Sequence, residues 1–365
     1  MKKIFSRTLR FVLLVGMVFL VYVAGVLVQG TLTDYQGPEK EDAFTLPAPS
    51  NDTPVDSIFS FLIWNIGYGA LGEESDFFYD AGRVLHSGDK MVRAPLNWVE
   101  KNEAGIRQII RANPADFVLL QEVDRQSKRS YFHDQFVQLR EAAKNHFGWF
   151  AVNYEVVRVP LPLLEPWQVY GKVSSGLASY AAYTASEAYR LQLPGNFPWP
   201  TRIFQLDRCL LVTRFPLPNG KELVVMNVHH SAYDKGGVMK KAEMAYTREL
   251  LNAEYEKGNY VVAGGDWNQC PPFFKFDSFM PGLSGKYTQI NIDPEFMGAD
   301  WQWMYDPRVP TNRKLADPFQ KGETFVTLID FYLVSPNIKV NQVKGIETGF
   351  QFSDHQPVWM EIELQ

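Results

Sequence analysis

The chain has 365 residues, 46% of them hydrophobic and 14% aromatic, which is enough for a sizeable globular core after a short N-terminal segment. Its formal net charge of −5 lacks the basic excess expected of a protein that grips long nucleic acids non-specifically, although a local basic patch stays open. The two cysteines, Cys209 and Cys270, are too far apart in sequence for a zinc site or a disulfide framework. We expect two buried free thiols, with a single disulfide as the alternative.

An uncharged apolar run from Phe11 to Gly30 follows four basic residues within the first ten positions. Twenty helical residues rise about 30 Å, which matches the hydrocarbon core of a bilayer, whereas the apolar region of a signal peptide is usually about 7–15 residues long. Residues 1–35 are therefore predicted to hold an uncleaved signal-anchor helix, with a cleaved signal peptide as the alternative. Because the basic residues precede the span, the prediction is a single-pass membrane protein with a cytoplasmic N-terminus and an extracytoplasmic domain.

Residues 36–57 are rich in turn-forming and charged residues and show little periodicity, which predicts a linker. The globular domain is predicted over residues 58–365. It opens with a strand at 58–65, continues with an amphipathic helix at 98–112, and then has a buried strand at 116–124.

The following elements alternate between strand and helix patterns. They are predicted as a helix at 131–145, strands at 208–215 and 223–229, a helix at 238–256, and strands that begin at 261, 327 and 357. Residues 154–202 are rich in proline and aromatics without a regular pattern. Residues 270–322 form an aromatic insertion, whose Trp and Phe side chains either pack on the core or enter a membrane interface.

One stretch, Val-Val-Ala-Gly-Gly-Asp-Trp-Asn from 261 to 268, has the pattern of a buried strand followed by a tight turn. The turn would hold Asp266 and Asn268 at the exit of the strand, where layered α/β folds place their chemistry. A carboxylate there can take a proton from water, and an amide can donate to a phosphoryl oxygen. Alone, a Gly-Asp-x-Asn loop is more often a plain turn, so the functional interpretation depends on other strand ends.

Other strand-like stretches also end in, or contain, polar residues. Most of these have an ordinary explanation as turn formers or hydrogen-bonded core residues. Asp330 is harder to explain in this way, because an acid within Leu-Ile-Asp-Phe-Tyr-Leu-Val must be paired or costs several kcal/mol to bury. The adjacent Asp354 and His355 form a dyad that frequently handles protons.

The order of these motifs resembles the endonuclease/exonuclease/phosphatase superfamily, which includes deoxyribonuclease I, exonuclease III, inositol polyphosphate 5-phosphatases and neutral sphingomyelinases. The motifs are strand-Asn65, strand-Gln-Glu122, Asn227-x-His229, Gly-Asp266-x-Asn268, Ile-Asp330 and Ser-Asp354-His355. The resemblance covers residues 58–364. It implies an α/β four-layer sandwich, with two mixed β-sheets face to face and helices outside, that hydrolyses phosphoesters or phosphodiesters without a covalent enzyme intermediate.

The resemblance also implies a divalent-metal site. Glu122 would be the main ligand of Mg²⁺ or Mn²⁺, helped by Asn65 and Asp354, directly or through water. Oxygen-only ligands suit a hard cation.

The implied catalytic residues surround this site. Asp266 would orient or deprotonate the attacking water, and His355 would contact the scissile phosphate while Asp330 fixes its tautomer. His229 matches a histidine of the deoxyribonuclease I and sphingomyelinase branches, where it would be a general acid or a phosphate ligand. His230 would point to the opposite face of its strand and have a structural role.

Three further residues are carried over as phosphate-binding candidates. Asn268 and Asn227 would hold phosphate oxygens. Tyr170 is a weaker match, because the Ser-Ser-Gly-Leu-Ala-Ser-Tyr sequence after it departs from the usual family pattern.

The sequence leaves the substrate open. The favoured interpretation is a monomeric phosphodiesterase that acts outside the cytoplasm on a lipid head group or another small phosphodiester. A nuclease for DNA or RNA is the alternative, with Arg308, Arg313 and Lys314 along a groove. A third alternative, a phosphomonoesterase for inositol phosphates, would be expected to carry a denser cluster of basic residues than this chain has. A non-catalytic binding module of the same fold also stays open, although the loss of site residues that would favour it is not seen in the sequence.

Overall fold

The computed structural model of the chain describes residues 2–48, 53–54, 56–144, 146–232, 236–275, 279–280 and 290–365, with side chains from residue 7 onward. Parts of the predicted linker (49–52 and 55), of the predicted aromatic insertion (276–278 and 281–289), and the last residue of the predicted 131–145 helix therefore lie outside the described residues.

Within the described residues, strands outnumber helices. The helices are α1 (Lys2–Leu32), α2 (Leu96–Ala112), α3 (Gln135–Ala142) and α4 (Val238–Glu256), with short 3-10 turns at Gly67–Gly69, Lys128–Ser130 and Thr201–Phe204. The first eight strands are β1 (Lys40–Asp42), β2 (Phe44–Leu46), β3 (Ile58–Asn65), β4 (Phe117–Asp124), β5 (Phe147–Val159), β6 (Gly171–Ala181), β7 (Glu187–Gln192) and β8 (Cys209–Pro216). The remaining eight are β9 (Glu222–His229), β10 (Tyr260–Asp266), β11 (Gln302–Met304), β12 (Asn312–Arg313), β13 (Val326–Thr327), β14 (Asp330–Val334), β15 (Ile338–Gly345) and β16 (Val358–Leu364).

These strands form two seven-stranded mixed sheets and a small two-stranded one, β12-β13. The strand order is β15-β16-β3-β4-β6-β5-β2 in one large sheet and β1-β7-β8-β9-β10-β14-β11 in the other. Each large sheet has one parallel pair near its centre, β3 with β4 and β9 with β10, and the other pairs are antiparallel. The carboxyl ends of each parallel pair therefore lie at the same edge of their sheet.

Strand periodicity decides how the layers pack. Along β3, Phe59, Phe61 and Ile63 point into the core between the two sheets, while Leu62 and Trp64 point to the opposite face. The outer face of that sheet is covered by α2 and α3, and the outer face of the other sheet is covered by α4. The predicted four-layer α/β sandwich is confirmed.

The structure corrects two local predictions. Residues 40–46 of the predicted linker form β1 and β2, which extend the edges of the two large sheets by pairing with β7 and β5. The predicted 131–145 helix is shorter, because Tyr131 and Phe132 have φ angles of 56° and 62°, outside the right-handed helical region. Asp134 then caps α3 by accepting a hydrogen bond from Val137 N.

The region 154–202, where the sequence shows no regular pattern, contains the last part of β5 and all of β6 and β7. Strand β6 is buried over most of its length and has many small residues, so it shows neither clear alternation nor a bulky apolar run. The two cysteines are free and buried, as expected.

The described aromatics of the 270–305 insertion pack mostly on the core. Phe274 and Trp301 are buried in the cluster under the outer face of the second sheet, and Trp303 lies against it. Phe273 is the exception, at 76% exposed. Of the two interpretations that the sequence left open, core packing therefore describes most of these side chains.

Candidate active site

The carboxyl ends of the two parallel strand pairs meet at one end of the sandwich. Asn65 at the end of β3 donates hydrogen bonds through Nδ2 to Glu122 Oε1 on β4, at 3.2 Å, and to Asp266 Oδ2 on β10, at 3.0 Å. His229 at the end of β9 places Nε2 at 3.5 Å from the same Asp266 oxygen. Four residues of four different motifs are thus brought together by the two sheets.

Two glycines set the distance between the sheets at this point. A Cβ on Gly264 would lie 2.6 Å from the Tyr332 ring and 3.0 Å from Ile63 of the facing sheet. Gly265 has a φ of +142°, and a Cβ there would lie 2.2 Å from Val228 O. The Gly-Gly pair therefore lets β10 approach β3 closely, which brings Asp266 within hydrogen-bonding distance of Asn65.

Glu122 reaches the site because its strand is irregular there. The register of β4 against β6 shifts between Leu120 and Val123, and Glu122 has a φ of +54°. This left-handed conformation costs a non-glycine residue about 1–3 kcal/mol and is typical of functional sites. Its side chain is 26% exposed, whereas the residues around it on β4 are buried.

His355 and Asp330 form a buried pair beside Asp266. Asp330 Oδ2 lies 2.8 Å from His355 Nδ1, and His355 Nε2 lies 3.8 Å from Asp266 Oδ2 and 3.0 Å from Asn312 Nδ2. Burial alone would lower the pKa of His355, but the charges of Asp330, Asp266 and Asp354 raise it well above its usual value. The sequence analysis missed Asn312, because it lies on a two-residue strand in an irregular stretch and no motif marks it.

Several buried carboxylates crowd this end of the sandwich. Burial raises the pKa of Asp330 to about 6, with a further rise from Asp266, and burial raises the pKa of Asp354 to about 7, with a further rise from Glu122. The described residues that offer closely spaced ligand atoms are Asp266, Asp330 and His355, whose atoms lie within 4.8 Å of one another. Crowded oxygen ligands with uncompensated negative charge fit a hard divalent cation.

The hydrogen bonds within this cluster distinguish the carboxylates that already have a partner from those that are available as metal ligands. His355 Nδ1 and Asp330 are already paired with each other, which leaves Glu122 and Asp354 as the less committed oxygen ligands. Asn65 Oδ1 accepts from Gly67 N at 3.1 Å while its Nδ2 donates to the two acids. In this arrangement the Asn65 amino group bridges two carboxylates, while its oxygen accepts one hydrogen bond and keeps a second lone pair, so its role at a metal stays a prediction.

The two adjacent histidines have different surroundings. Burial, with the charges of Arg208 and His355 nearby, lowers the pKa of His229 well below its usual value. A neutral imidazole favours a hydrogen-bonding role toward phosphate over that of a general acid. His230 points to the other side of the strand, as expected, where its Nε2 lies 3.0 Å from Thr247 Oγ1 of α4.

The two predicted phosphate-binding asparagines end up in different places. Asn268 lines the cleft, and its backbone N–H donates to Asp266 Oδ1 at 2.9 Å, which orients that carboxylate. Asn227 is fully buried between the sheets, where Nδ2 donates to Leu120 O and Ala178 O. In this structure the Asn227 amide joins the two sheets and does not line the cleft, and its predicted contact with phosphate stays a prediction.

Tyr170 lines the cleft and is held there by a buried arginine. Its hydroxyl accepts from Arg129 Nη1 at 2.7 Å. Arg129 also pairs with the fully buried Asp124 at 2.8 Å and stacks on the Tyr68 ring at 3.6 Å. The sequence analysis missed this group, although an acid at the end of a buried strand, such as Asp124, signals that a cationic partner must exist.

The three basic residues proposed for a nucleic-acid groove do not line one together. Arg313 is buried, and its Nη2 donates to Gly72 O at 2.6 Å and to Ser75 O at 3.3 Å. Burial lowers its pKa. Arg308 is paired with Asp306, two residues before it in the chain, and does not line the cleft, whereas Arg313 and Lys314 do.

The cleft has a volume of about 630 Å³. One side carries the polar residues described above. The other side is mostly aromatic and aliphatic, formed by Phe77, Phe78, Leu161, Phe197, Phe204 and Leu206.

Comparisons with known proteins agree with this architecture. The model of the endonuclease/exonuclease/phosphatase family matches residues 62–355. An endonuclease/exonuclease/phosphatase structure from Beutenbergia cavernae DSM 12333 is 18% identical, with 84% of this chain and 72% of that chain covered and a TM-score of 0.52. One from Bacteroides vulgatus is 16% identical, with 85% of this chain and 100% of that chain covered, also at a TM-score of 0.52.

At these identities the two structures indicate the fold alone, and a search of curated proteins finds no match. The family model, however, spans well over half of the chain and includes all the motifs from Glu122 to His355. The chain belongs to the endonuclease/exonuclease/phosphatase family, whose members are hydrolases of phosphoester bonds.

Proposed function

We propose that the chain is a divalent-metal-dependent phosphodiesterase in which Asp266 activates the attacking water and Glu122, with Asp354, holds Mg²⁺ or Mn²⁺. The observation that carries the proposal is the placement of Asp266 Oδ2, which lies 3.0 Å from Asn65 Nδ2 and 3.8 Å from His355 Nε2. One carboxylate oxygen thus faces both the proposed metal-binding side of the cleft and the proposed phosphate-binding histidine.

The oxygen ligands of Glu122 and Asp354 fit a hard cation, as their crowding and the raised pKa of Asp354 indicate. When bound there, the metal supplies Lewis-acid polarisation of the phosphoryl group and stabilises the leaving oxygen. Asn65 acts as a positioning residue, because its amino group holds Glu122 and Asp266 at a fixed separation.

The remaining steps, which are activation of water and binding of the phosphate, are assigned to side chains of the protein. Asn268 N orients the Asp266 carboxylate through Oδ1, and Oδ2, which lies 3.8 Å from His355 Nε2, is the oxygen that takes the proton of water. Asp330 holds His355 by Nδ1, which directs Nε2 toward the scissile phosphate. His229, which burial keeps neutral, donates a hydrogen bond to a phosphate oxygen.

The favoured substrate is a phosphodiester with an apolar part, such as a lipid, because one side of the cleft is aromatic and aliphatic. Helix α1 contains a segment, Arg7–Leu32, of mean hydropathy 2.9 that is long and apolar enough to cross a membrane, a property that a signal sequence shares. We infer that residues 1–35 anchor the chain and that the domain over 58–365 acts outside the cytoplasm as a monomer. A nuclease is less favoured, because Arg313 and Arg308 are committed to other partners.

The test is hydrolysis by the purified full chain in detergent, with Mg²⁺ and with chelator. The substrates are bis(p-nitrophenyl) phosphate, sphingomyelin vesicles and plasmid DNA. Asp266→Asn should lower kcat by about 10²–10⁴-fold while leaving Mg²⁺ binding intact, as expected for loss of a general base. Glu122→Gln should weaken Mg²⁺ binding and activity together. The exposed Asp300→Asn is the matched control and should behave as wild type.

The outcomes separate the alternatives. Wild-type turnover by both site variants would contradict the assignment of Asp266 and Glu122. Chelator-sensitive cleavage of DNA alone would favour the nuclease. Absence of both turnover and Mg²⁺ binding in the wild-type chain would favour a non-catalytic binding module.

A further inference from the structure

A group of exposed apolar side chains lies in loops that contribute to the cleft or are bonded to such loops. Trp167 is 75% exposed, Trp199 and Leu85 are both 55% exposed, and Leu164 is 41% exposed. The loops that carry Leu85 and Leu164 are joined by a backbone hydrogen bond of 3.0 Å. We call residues 84–85, 163–167 and 197–199 the apolar rim. Exposed tryptophan and leucine in neighbouring loops are typical of a surface that contacts another apolar phase.

The rim is continuous with the aromatic side of the cleft. Leu161 and Phe197, which line the cleft, lie in the same loops as Leu164 and Trp199. A ligand in the cleft would therefore extend its apolar part toward the rim.

Helix α1 ends at this rim. Trp199 Nε1 donates to Thr31 Oγ1 at 3.1 Å, and Arg202 Nε lies 3.4 Å from Asp34 Oδ2. Gly30 packs so closely that a Cβ there would lie 3.3 Å from Phe204, which on its other side lines the cleft. Phe204 therefore contacts the end of the helix and also lines the cleft.

Helix α1 projects away from the domain up to Val21, whereas Tyr22, Val23, Val26 and Leu27 are half-buried against the domain. Its membrane-length segment, Arg7–Leu32, is 0% buried, and its apolar side chains from Leu9 to Val21 are largely exposed. If this segment enters a bilayer, the membrane surface lies on the side of the domain where α1 packs, which is the side that carries Trp199. Tryptophan prefers the interfacial region of a bilayer.

Three cations lie close together beside the rim. Burial, with the charges of Arg93 and Arg158 nearby, lowers the pKa of Lys128. Arg158 Nη2 donates to Pro166 O within the rim loop at 3.3 Å. Cations just behind an apolar surface suit the phosphate groups of phospholipids.

We propose that the apolar rim enters the outer surface of the same bilayer that α1 spans, so that the cleft opens onto phospholipid head groups. The inference deepens the proposed function and rests on it for the identity of the substrate. It differs from one of the two alternatives that the sequence left open, a membrane contact through the 270–305 insertion, most of whose described aromatics pack on the core.

Cysteine labelling of the full chain tests the contact without using activity. Because Cys209 and Cys270 are buried, a surface cysteine introduced by Leu164→Cys can be labelled selectively with an environment-sensitive fluorophore. Phe273→Cys is the matched control, since Phe273 is an exposed aromatic in the insertion. The labelled chains are placed in phosphatidylcholine nanodiscs with one copy per disc.

The expected result is that the probe at 164 shifts to shorter wavelength and is quenched by spin-labelled lipid, while the probe at 273 responds as in water. Equal responses at both positions would overturn the proposal. A shift at 164 that appears only when discs hold several copies would also overturn it, because the rim would then be an interface between copies of the chain.

An activity measurement then separates this proposal from the proposed function. The double variant Leu164→Asp, Trp167→Asp should lower hydrolysis of vesicle phospholipid by about tenfold, since each apolar side chain leaves the interface. Hydrolysis of bis(p-nitrophenyl) phosphate should stay at the wild-type rate, as should both activities in Phe273→Asp. Equal effects of the double variant on both substrates would overturn the membrane contact. If wild type hydrolyses neither, the proposed function fails, and the labelling result alone decides whether the rim enters the bilayer.

Discussion

Gly265 is the position at which the fold and the proposed site depend most directly on one residue. Its φ of +142° is nearly inaccessible to an L-residue, and a Cβ would lie 2.2 Å from Val228 O and 2.9 Å from Gln121 Nε2. For Gly265→Ala we expect about 1–3 kcal/mol from backbone strain and a similar cost from overpacking, or about 2–6 kcal/mol in all. The relief of the backbone clash must move β10 away from β9, which displaces Asp266.

A displacement of about 1 Å at a reacting group costs about 10²-fold in rate, so we expect that loss in kcat for the soluble diester in addition to the lower stability. Stability is measured by urea unfolding of the full chain in detergent, followed by tryptophan fluorescence. Gly298→Ala is the control, because the nearest atom to its Cβ would be 3.9 Å away and its φ is not left-handed. An unfolding midpoint and a kcat for Gly265→Ala equal to those of Gly298→Ala would refute the reasoning.

Three further predictions use other parts of the chain. Arg129→Met should lower the unfolding free energy by about 3–5 kcal/mol, because it leaves the buried Asp124 unpaired. The double variant with Asp124→Leu should recover part of that lost unfolding free energy. If the losses of the two single variants simply add, this pairing is contradicted. Burial alone would raise the pKa of Glu254, but hydrogen bonds from Arg214 and two neighbours lower that pKa from 4.5 to about 2. The ionised Glu254 therefore stabilises the fold above pH 4.5, and this stabilisation is lost as the pH falls toward 2. Glu254→Gln should flatten the acid-unfolding curve in that range, and an unchanged curve would contradict it. Mg²⁺ at about 100 times its Kd should raise the unfolding free energy by about 2.7 kcal/mol in wild type but not in Glu122→Gln.

The central strands were predictable because they combine apolar runs with polar ends. Strand β3 was predicted over its observed residues, Ile58–Asn65, and helix α4 over 238–256. In both elements the local pattern and the tertiary environment favour the same structure. The edge strand Lys40–Asp42 was not predictable, because its three residues are exposed and only the pairing with β7 makes them a strand.

The positions of the two site asparagines show a different limit of the sequence. Asn227 and Asn268 both lie near strand ends in motifs of the same family. The structure turns Asn227 between the sheets, toward Leu120 O, and Asn268 toward the cleft. The alternation of side chains along β9 places Asn227 and His229 on the same face of the strand. Only the packing of the facing sheet decides that Asn227 is covered while His229, two residues later, reaches the cleft.

The hydrogen bonds of Asn65 suggest why the site is built across two sheets. Glu122 and Asp266 are carried by different sheets, and their like charges would repel each other at this separation. The amino group of Asn65 offers one N–H to each, at 3.2 Å and 3.0 Å, and its own orientation is fixed by Gly67 N. An uncharged amino group that donates a hydrogen bond to each acid holds Glu122 and Asp266 at a fixed separation without neutralising either of them. The negative charge of the two carboxylates is therefore preserved for a cation. Substitution by Asp would add a third carboxylate at this point, whereas Ser would be too short to reach both acids. The sheet ends therefore need an amide at this position.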